Sequence, residues 1–403
     1  MLSILSSAPE TTWGSDTQRS GRYYAIDGIR GLFAVVVFLA HFHIQFHSLT
    51  HDKGVLFFAS SVTWCITRAA VGIFFALSGF LFYGSLLKRP EPYFAFVGKR
   101  LRRLYPTFLF AFSIYLLFCL LFPSTSKLPD TLEARGVYIA ANLLMLQGLL
   151  HPPMIVQSWT LTFTCVFYVS VPLVVWGFRR LSLMPKQRLF CLLGLWCVAL
   201  CSLQVSPVMS NGIGFITGMI VAESLPWLAI KTSTAERRAE LMAGVLFIAA
   251  CVMLYAGFQW HTRSLGAAMP RELFSFYAVA CRVGALSLTT VILFTLALEG
   301  NGLMRRALSF GPLAALGRLS YSWYLMHGIA LKATVYLVQN TLTRFHVESS
   351  LLFVPALLLA MLFAWAIASG TYHLVEAGRL SIGPHHVGVR NTLSAAKPQV
   401  KAG

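Results

Sequence analysis

An arginine and a histidine lie eleven positions apart in one apolar stretch, as Arg30 and His41 of YYAIDGIRGLFAVVVFLAHFHIQF. In a helix, eleven residues at about 100° each make roughly three turns, so both side chains share one face. The rise between them is about 16 Å, or about half of a bilayer's hydrocarbon core. The spacing therefore predicts Arg30 near one membrane surface and His41 near the midplane. Asp27, three residues before Arg30, is placed to pair with its guanidinium.

A histidine at the midplane of a membrane helix indicates a functional site, because titratable side chains are costly in lipid. Imidazole titrates near neutrality, so His41 is suited to take a proton from an attacking hydroxyl as a general base. Arg30 keeps its proton and is suited to bind a phosphate or to orient Asp27. The structural alternatives are a packing histidine and an arginine that reaches lipid headgroups.

The composition of the chain is typical of a polytopic membrane protein. Of its 403 residues, 57% are hydrophobic and only 11% are charged, which is more apolar sequence than a soluble core needs. The net charge is +18, and the basic residues cluster in short segments between apolar runs. Such clustering is a topology signal of membrane proteins. No basic stripe with interleaved aromatic residues is present outside the apolar runs, so we expect no nucleic-acid binding.

Hydropathy over a window of about 20 residues predicts an all-α bundle of about ten transmembrane helices. The short apolar segment 137–150 is predicted to be re-entrant or peripheral. The ten helices are predicted near 28–48, 68–87, 105–123, 157–178, 189–206, 211–229, 241–259, 275–298, 316–338 and 351–376.

The basic segments of the chain predict its orientation. In the ten-helix arrangement they lie on the same side as the N-terminus, at 88–103, 179–188, 231–240, 299–318 and after 376. By the positive-inside rule this side is the cytoplasm, so both termini are expected there. The polar N-terminal segment 1–24 shows no signal peptide, and residues 381–403 are expected to form a flexible basic tail.

Neither the cysteines nor the histidines form a metal-binding pattern. The eight cysteines lie mostly in apolar runs without a CxxC pair, which favours small buried side chains. His43, His47 and His51 repeat every fourth residue but lack partner carboxylates, so we expect no bound metal. Glu223 and Glu376 lie near predicted cytoplasmic helix ends, where solvent exposure is the simplest interpretation.

Six segments, in order along the chain, together resemble the membrane acyltransferase-3 family. They are IDGIRGLFAVVVFLAHF with Arg30 and His41, VGIFFALSGFLFYGSLLKR with Ser78, FAFVGKRLRRLYPTFLF with Tyr105, QSWTLTFTCVFYVSVPL with Trp159, LGRLSYSWYLMHGIAL with Tyr321, Tyr324 and His327, and YHLVEAGRL with Glu376. Each segment is degenerate alone, but their order is specific to the family. The resemblance covers residues 25–380 as one transmembrane domain.

The resemblance implies an integral membrane O-acyltransferase that moves an acyl group, most often acetyl, from acyl-CoA to a hydroxyl of a carbohydrate. It implies acetyl-CoA as a donor substrate rather than a permanently bound cofactor, and the bacterial inner membrane as the location. His41 and Arg30 are the expected catalytic residues. The residues expected to bind donor or acceptor are Asp27, Ser78, Arg100, Arg103, Tyr105, Trp159, Tyr321, Tyr324, His327 and Glu376.

Three of these groups also have a structural interpretation. The basic segment 99–103 suits the phosphates of CoA, and equally suits anionic lipid. The segment Ser78–Phe80 is suited to place a hydroxyl and accessible backbone near the reacting carbonyl. It is equally suited to form a helix-packing notch. Tyr321, Tyr324 and His327 share a helix face, which binds the acceptor or forms an interfacial aromatic belt.

The chain departs from the family pattern at two positions. The family's Trp-Ser-Leu-Ser-Val-Glu segment usually carries an acid, but in this chain Thr164 or Cys165 stands where the carboxylate is expected. Gly378 stands two residues after Glu376, where the family usually has proline. The missing carboxylate predicts a divergent acceptor pocket, and it leaves a catalytically inactive scaffold as an alternative.

A transporter or flippase for a glycolipid or small solute is the alternative from another class, because a midplane histidine permits proton coupling. The chain shows no inverted repeat and no paired helices broken by Gly or Pro, which favours the enzyme. The expected partners are acyl-CoA, a carbohydrate acceptor and the lipid bilayer. The oligomeric state stays open.

Overall fold

A computed structural model describes residues 16–50, 55–123, 126–201, 210–225, 283–295, 302–345 and 352–377, with a few single positions between 238 and 252. Every regular element in these ranges is helical. The helices are α1 (Asp16–Thr50), α2 (Val55–Lys88), α3 (Tyr93–Leu121), α4 (Leu132–Leu143), α5 (Trp159–Arg180), α6 (Pro185–Cys201), α7 (Ser210–Ser224), α8 (Val283–Thr295), α9 (Leu303–Leu308), α10 (Gly311–Arg318), α11 (Ser320–Phe345) and α12 (Phe353–Thr371). A 3₁₀ turn (Val156–Ser158) precedes α5, and a π-helical turn (Tyr372–Ala377) follows α12.

Five segments of the described chain are long and apolar enough to cross a membrane. They are Tyr24–Phe46, Ala70–Lys88, Tyr93–Leu121, Val156–Arg180 and Phe353–Ala377. The described part of the chain is therefore all-helical, and the chain is a multi-pass membrane protein, but the predicted number of about ten spans is not confirmed. The apolar helices α7 and α8 are described over lengths too short to span, and the predicted helix 241–259 and the tail 381–403 lie outside the described ranges.

Three boundaries differ from the sequence prediction. The segment 88–103 is not a loop, because α3 begins at Tyr93, directly after Pro92. Lys and Arg are good helix formers with long apolar stems, so the helix continues into the basic segment. The predicted helix 316–338 is interrupted by a turn at Leu319, between α10 and α11. The polar N-terminal segment predicted at 1–24 already contains the first turns of α1.

The segment predicted to be re-entrant or peripheral contains α4, whose 12 residues are too few to span a membrane. Two positive backbone φ angles follow this helix, 56° at Met145 and 84° at Gly148. Buried hydrogen bonds hold the returning chain: Gln147 Nε2 donates to the Ser158 carbonyl at 3.1 Å, and Thr162 Oγ1 donates to the Gln147 carbonyl at 2.5 Å. Residues 144–158 thus fold back against the start of α5.

Helix α1 lies against α9 and α10 with backbone touching backbone. A Cβ atom on Gly28 would stand 1.6 Å from the Leu308 carbonyl oxygen, and one on Gly317 would stand 1.8 Å from the Asp27 carbonyl oxygen. Small residues permit such approaches between membrane helices. The contact fixes the start of α11 beside the Asp27–Arg30 turn of α1.

Helices α2 and α7 cross in the same way. A Cβ atom on Gly79 would stand 2.1 Å from the Phe215 carbonyl oxygen, and one on Gly218 would stand 1.9 Å from the Ala76 carbonyl oxygen. Gly79 of the Ser-Gly-Phe turn is therefore a helix-packing notch. This contact supports the structural interpretation of the glycine, and it leaves Ser78 free to face elsewhere.

We expect Gly79→Val to lower the thermal unfolding temperature, because the new side chain meets backbone that cannot rotate away. Overpacking of this kind costs about 1–3 kcal/mol or more. Gly84→Ala, one turn further along α2, is the matched control, because its Cβ would have no atom nearer than 3.9 Å. Unfolding in detergent measures both variants, and equal melting temperatures would contradict the crossing.

Glu223 is buried rather than exposed, so the sequence interpretation of this residue is wrong. Its side chain is 5% exposed, and its carboxylate accepts from Arg188 Nε at 2.6 Å and Nη2 at 3.1 Å. Tyr83 Oη donates to the same carboxylate at 2.5 Å. A buried charge needs such partners, and here they tie α2, α6 and α7 together.

Candidate active site

A cavity of about 350 Å³ lies between α1, α2, α3, α5, α11 and the π-helical turn. Nine of the candidate residues line it, namely Asp27, Arg30, Ser78, Arg100, Arg103, Tyr321, Tyr324, His327 and Glu376. Three others, His41, Tyr105 and Trp159, are not among the described residues that line it. Apolar side chains such as Val37, Phe74 and Leu161 form the rest of the wall.

The two ends of this cavity are set by how α1 and α11 run side by side. At one end the Gly317 backbone, just before α11, touches the Asp27 backbone of α1. At the other end the rings of His41 and His327 lie 5.3 Å apart, centroid to centroid. The two helices therefore run in the same direction, and the cavity has a charged end and an imidazole end.

The charged end is basic. Four arginines line the cavity, Arg30, Arg100, Arg103 and Arg318, against two carboxylates, Asp27 and Glu376. The Asp27–Arg30 pair expected from the sequence is present as a long contact, with Oδ1 and Nη1 3.5 Å apart. Glu376 instead accepts a hydrogen bond from Ser322 Oγ. The excess of guanidinium groups makes this end suited to an anion.

Arg100 is held by aromatic rings rather than by an acid. Its guanidinium carbon lies 4.3 Å from the centroid of Phe82 and 5.1 Å from that of Phe96, which is cation–π geometry. Its Nε atom is buried and has no hydrogen-bond partner among the described residues. The rings fix the side chain, and no carboxylate among the described residues forms a salt bridge with its guanidinium.

At the imidazole end, His327 is 2% exposed and is fixed by the backbone of its own helix. Its Nδ1 atom lies 2.9 Å from the Tyr324 carbonyl oxygen and 3.2 Å from the Trp323 carbonyl oxygen. Carbonyl oxygens only accept, so Nδ1 must carry the proton. In the neutral ring, Nε2 is then the unprotonated nitrogen.

Tyr321 and Tyr324 of α11 form hydrogen bonds with the neighbouring segments of the cavity wall. Tyr324 Oη lies 2.5 Å from the Gln157 carbonyl oxygen and 2.7 Å from Thr160 Oγ1. Tyr321 Oη donates to the Leu104 carbonyl at 2.9 Å. The structure thus places these side chains in the cavity wall, with hydroxyl groups that hold α11 against α3 and α5.

Tyr105 and Trp159 do not lie in the cavity wall. Tyr105 Oη donates to the Leu143 carbonyl at 2.6 Å and so attaches α4 to α3. Trp159 packs edge-on against Phe75 and Phe163, with ring centroids 6.4 and 5.9 Å away. Their contacts are those of residues that shape the bundle around the site.

Thr164 and Cys165 are the two residues that stand near the position of the family's acid. Of these two, Thr164 has a side chain that lines the cavity. Its Oγ1 donates to the Thr160 carbonyl at 2.9 Å. Cys165 lies toward α4, where its Sγ is 3.3 Å from Met145 Sδ. The cavity wall at this position therefore presents a neutral hydroxyl in place of a carboxylate.

Sequence reasoning missed several lining residues, among them Thr160, Tyr168, Arg318 and Tyr372. Arg318 was visible beside the Ser-Tyr motif as a charge next to an apolar helix, and Thr160 lies one turn before Thr164 on the same face of α5. No group of three or more possible metal ligands occurs among the residues that the structure describes. His43 packs on Phe353, and His51 lies outside those residues.

The chain is a multi-pass helical bundle, and its internal cavity is lined by arginines and by His327. These features define its class as an integral membrane protein with an internal polar site. The sequence profile of one family, the acyltransferase domain of acyltransferase-3 type, matches residues 23–369. The match covers most of the chain, so the chain belongs to the acyltransferase-3 family and is a membrane acyltransferase. Neither the curated proteins nor the solved structures include a match to it.

Proposed function

We propose that this protein is an O-acetyltransferase that moves an acetyl group from acetyl-CoA to a hydroxyl of a carbohydrate. The acceptor class is a surface polysaccharide, an exopolysaccharide or a glycolipid. One observation carries the proposal: a single cavity is lined by a cluster of arginines and by the imidazole of His327, whose ring lies 5.3 Å from that of His41. Acyl transfer from CoA needs both, an anion site for the donor and a proton acceptor for the attacking hydroxyl.

The basic end is the proposed donor site. Arg30, Arg100 and Arg103 lie on the side where the basic segments of the chain cluster, which the positive-inside rule makes the cytoplasm. Acyl-CoA is a cytoplasmic metabolite with a strongly anionic end, so this side is where the donor would enter. The proposal includes the bacterial inner membrane and cytoplasmic termini.

The imidazole end is the proposed site of chemistry. Along α1, His41 lies about 16 Å beyond Arg30, so a donor whose phosphates contact the arginines extends its thioester toward the histidines. The sequence names His41 as the general base, and the structure puts its ring against that of His327. An imidazole of this pair takes the acceptor proton as the hydroxyl oxygen attacks the thioester carbonyl.

Mass spectrometry of surface and secreted glycans tests this function in three strains: one lacking the protein, one complemented with the wild type, and one complemented with His41→Ala. We expect an acetyl mass that disappears without the protein, returns with the wild type, and does not return with His41→Ala at equal membrane abundance. Loss of a different acyl mass would correct the donor. Identical glycans in all three strains would contradict the proposal and favour transport of a glycolipid or solute.

A further inference from the structure

We propose that Thr160, Thr164 and Tyr324 form the acceptor subsite of the cavity and bind an uncharged sugar face through the protons of its hydroxyl groups. We call these three side chains the hydroxyl wall. The inference rests on the proposed acyl transfer and names the chemical class of its acceptor. Four observations carry it: the place of the wall, the state of its protons, its lack of charge, and a buried donor nearby.

The hydroxyl wall lies at the imidazole end of the cavity. All three of its residues line the cavity. The ring centroids of Tyr324 and His327 lie 6.3 Å apart, and Thr160 Oγ1 lies 2.7 Å from Tyr324 Oη. Thr164 follows one helical turn after Thr160 on α5. A molecule held on this wall is therefore next to the proposed site of chemistry.

The other end of the same α5 face reaches the arginines. Tyr168 lies one turn beyond Thr164, lines the cavity, and interacts electrostatically with Arg100 and Arg103. Along α5 the cavity wall thus runs from Thr160 at the imidazole end to Tyr168 at the basic end. Thr164 stands between them, where the space for the donor meets the space for the acceptor.

The protons of Thr160 and Tyr324 are used within the protein. Tyr324 Oη donates to the Gln157 carbonyl at 2.5 Å. Thr160 Oγ1 lies 2.7 Å from Tyr324 Oη and 3.3 Å from the same carbonyl oxygen. A carbonyl oxygen only accepts, so both hydroxyl protons lie inside this triangle of oxygen atoms. What the two hydroxyl groups offer a ligand is their lone pairs.

Thr164 behaves in the same way and carries no charge. Its Oγ1 donates to the Thr160 carbonyl at 2.9 Å, so this hydroxyl also offers only lone pairs. The family usually has an acid at Thr164 or Cys165, and Cys165 lies toward α4. The hydroxyl wall therefore accepts hydrogen bonds without the negative charge that a carboxylate would bring.

A buried hydrogen-bond donor lies beside the hydroxyl wall. Trp323 directly precedes Tyr324, lines the cavity and is 3% exposed. Its Nε1 atom is buried and has no hydrogen-bond partner among the described residues. Buried donors without a partner are costly and rare, so each of them calls for an explanation. A ligand oxygen bound in the cavity would supply the missing acceptor.

These groups together suit the hydroxyls of a sugar. A hydroxyl group donates one hydrogen bond and also accepts, which matches three oxygens that accept and one indole that donates. An ionised carboxylate or phosphate only accepts, so it would meet lone pairs at the hydroxyl wall and guanidinium groups at the basic end. The cavity thus separates its two substrates by hydrogen-bond polarity, with anionic CoA at the arginines and an uncharged sugar face at the wall.

The test is steady-state kinetics of the full chain in lipid nanodiscs, with acetyl-CoA as donor and glycan purified from the strain lacking the protein as acceptor. Thr164→Val keeps the branched shape and removes the hydroxyl. We expect it to raise the KM for the glycan by about 2- to 12-fold, the usual contribution of one neutral hydrogen bond. The KM for acetyl-CoA should stay within about twofold. Thr164→Ser keeps a hydroxyl and should recover most of the lost affinity.

Thr334→Val is the matched control. Thr334 Oγ1 donates to the Ala330 carbonyl at 2.9 Å, which is the same bond, four residues back, that Thr164 makes. Thr334 is also buried, but it is not among the described residues of the cavity wall. This variant should keep both KM values. Stabilisation of each variant by CoA against heat reports that the site is folded.

Thr164→Glu and Thr164→Gln together measure the charge of the acceptor. The two new side chains have the same size and differ in charge, so the ratio of their KM values for the glycan removes the effect of size. For an uncharged sugar face, we expect Thr164→Glu to have a KM equal to or below that of Thr164→Gln. The reason is that a carboxylate is the stronger hydrogen-bond acceptor for a hydroxyl proton.

Three results would overturn the inference while an active wild type leaves the acyltransferase function standing. A KM for the glycan at least about tenfold higher in Thr164→Glu than in Thr164→Gln would indicate an anionic acceptor. A Thr164→Val variant that raises the KM for acetyl-CoA instead would assign the wall to the pantetheine arm of the donor. Unchanged KM values in Thr164→Val would remove the wall from substrate binding. A wild type that stays folded, binds CoA and forms no ester would overturn the function itself and the inference with it.

Discussion

Replacing Arg100 and Arg103 together by glutamine is expected to weaken the binding of CoA and acetyl-CoA by about 10²- to 10⁴-fold. Each guanidinium that meets a phosphate contributes about 1.5–3 kcal/mol as a charge-assisted hydrogen bond. Both side chains line the cavity, and Arg100 is held in place by Phe82 and Phe96. Calorimetric titration of the purified protein with CoA measures the dissociation constant, and the wild-type affinity should fall with added salt.

The matched control is the double variant Lys99→Gln and Arg102→Gln, which removes the same two charges from the same helix. Lys99 pairs with Glu91 at 3.2 Å, and Arg102 is exposed. Neither side chain is among the described residues of the cavity wall. If this control loses as much affinity as the Arg100 and Arg103 variant, the basic segment acts by general charge. The interpretation as an anionic-lipid and topology signal would then be favoured.

Glu223→Leu is expected to destabilise the protein by about 3–5 kcal/mol, because it leaves Arg188 without its carboxylate in a mostly buried position. Tyr83 Oη loses its acceptor in the same change. The loss should appear as an early unfolding of the contacts among α2, α6 and α7. Thermal or denaturant unfolding in detergent measures it, with CoA absent so that ligand binding does not mask the difference.

The double variant Arg188→Leu and Glu223→Leu provides the internal control for this prediction. Removing both charges replaces a buried ion pair by apolar side chains, which is often close to neutral in stability. We therefore expect the second substitution to recover most of the stability lost in the first. A Glu223→Leu protein as stable as the wild type would contradict the buried network.

The charged residues of the cavity could be predicted from the sequence because their spacing is local. Arg30 and Asp27 lie one turn apart, so their pairing follows from helix geometry alone. Arg100 and Arg103 also lie one turn apart, and the apolar run that follows them predicts a membrane surface at that point. The class of protein follows for the same reason, since apolar runs are read directly along the chain.

The direction in which a side chain faces could not be predicted at positions where several helices compete for contact. Tyr105 has the same family support as Arg103, yet its hydroxyl bonds the end of α4. Trp159 and Thr160 are adjacent, and only Thr160 lines the cavity. A membrane helix is apolar all round, so its sequence carries little signal for which face meets a neighbour and which meets lipid.

The sequence by itself determined the membrane class, the family resemblance and the set of polar residues available for acyl transfer, because these depend on composition and on spacing within one helix. Only the tertiary structure decided which of those residues meet. It put His327 in the cavity with His41 against it, and buried Glu223 against Arg188 across 35 residues of sequence. Those pairings depend on close helix crossings such as Gly28 on Leu308, where packing of distant segments, rather than local periodicity, sets the distances.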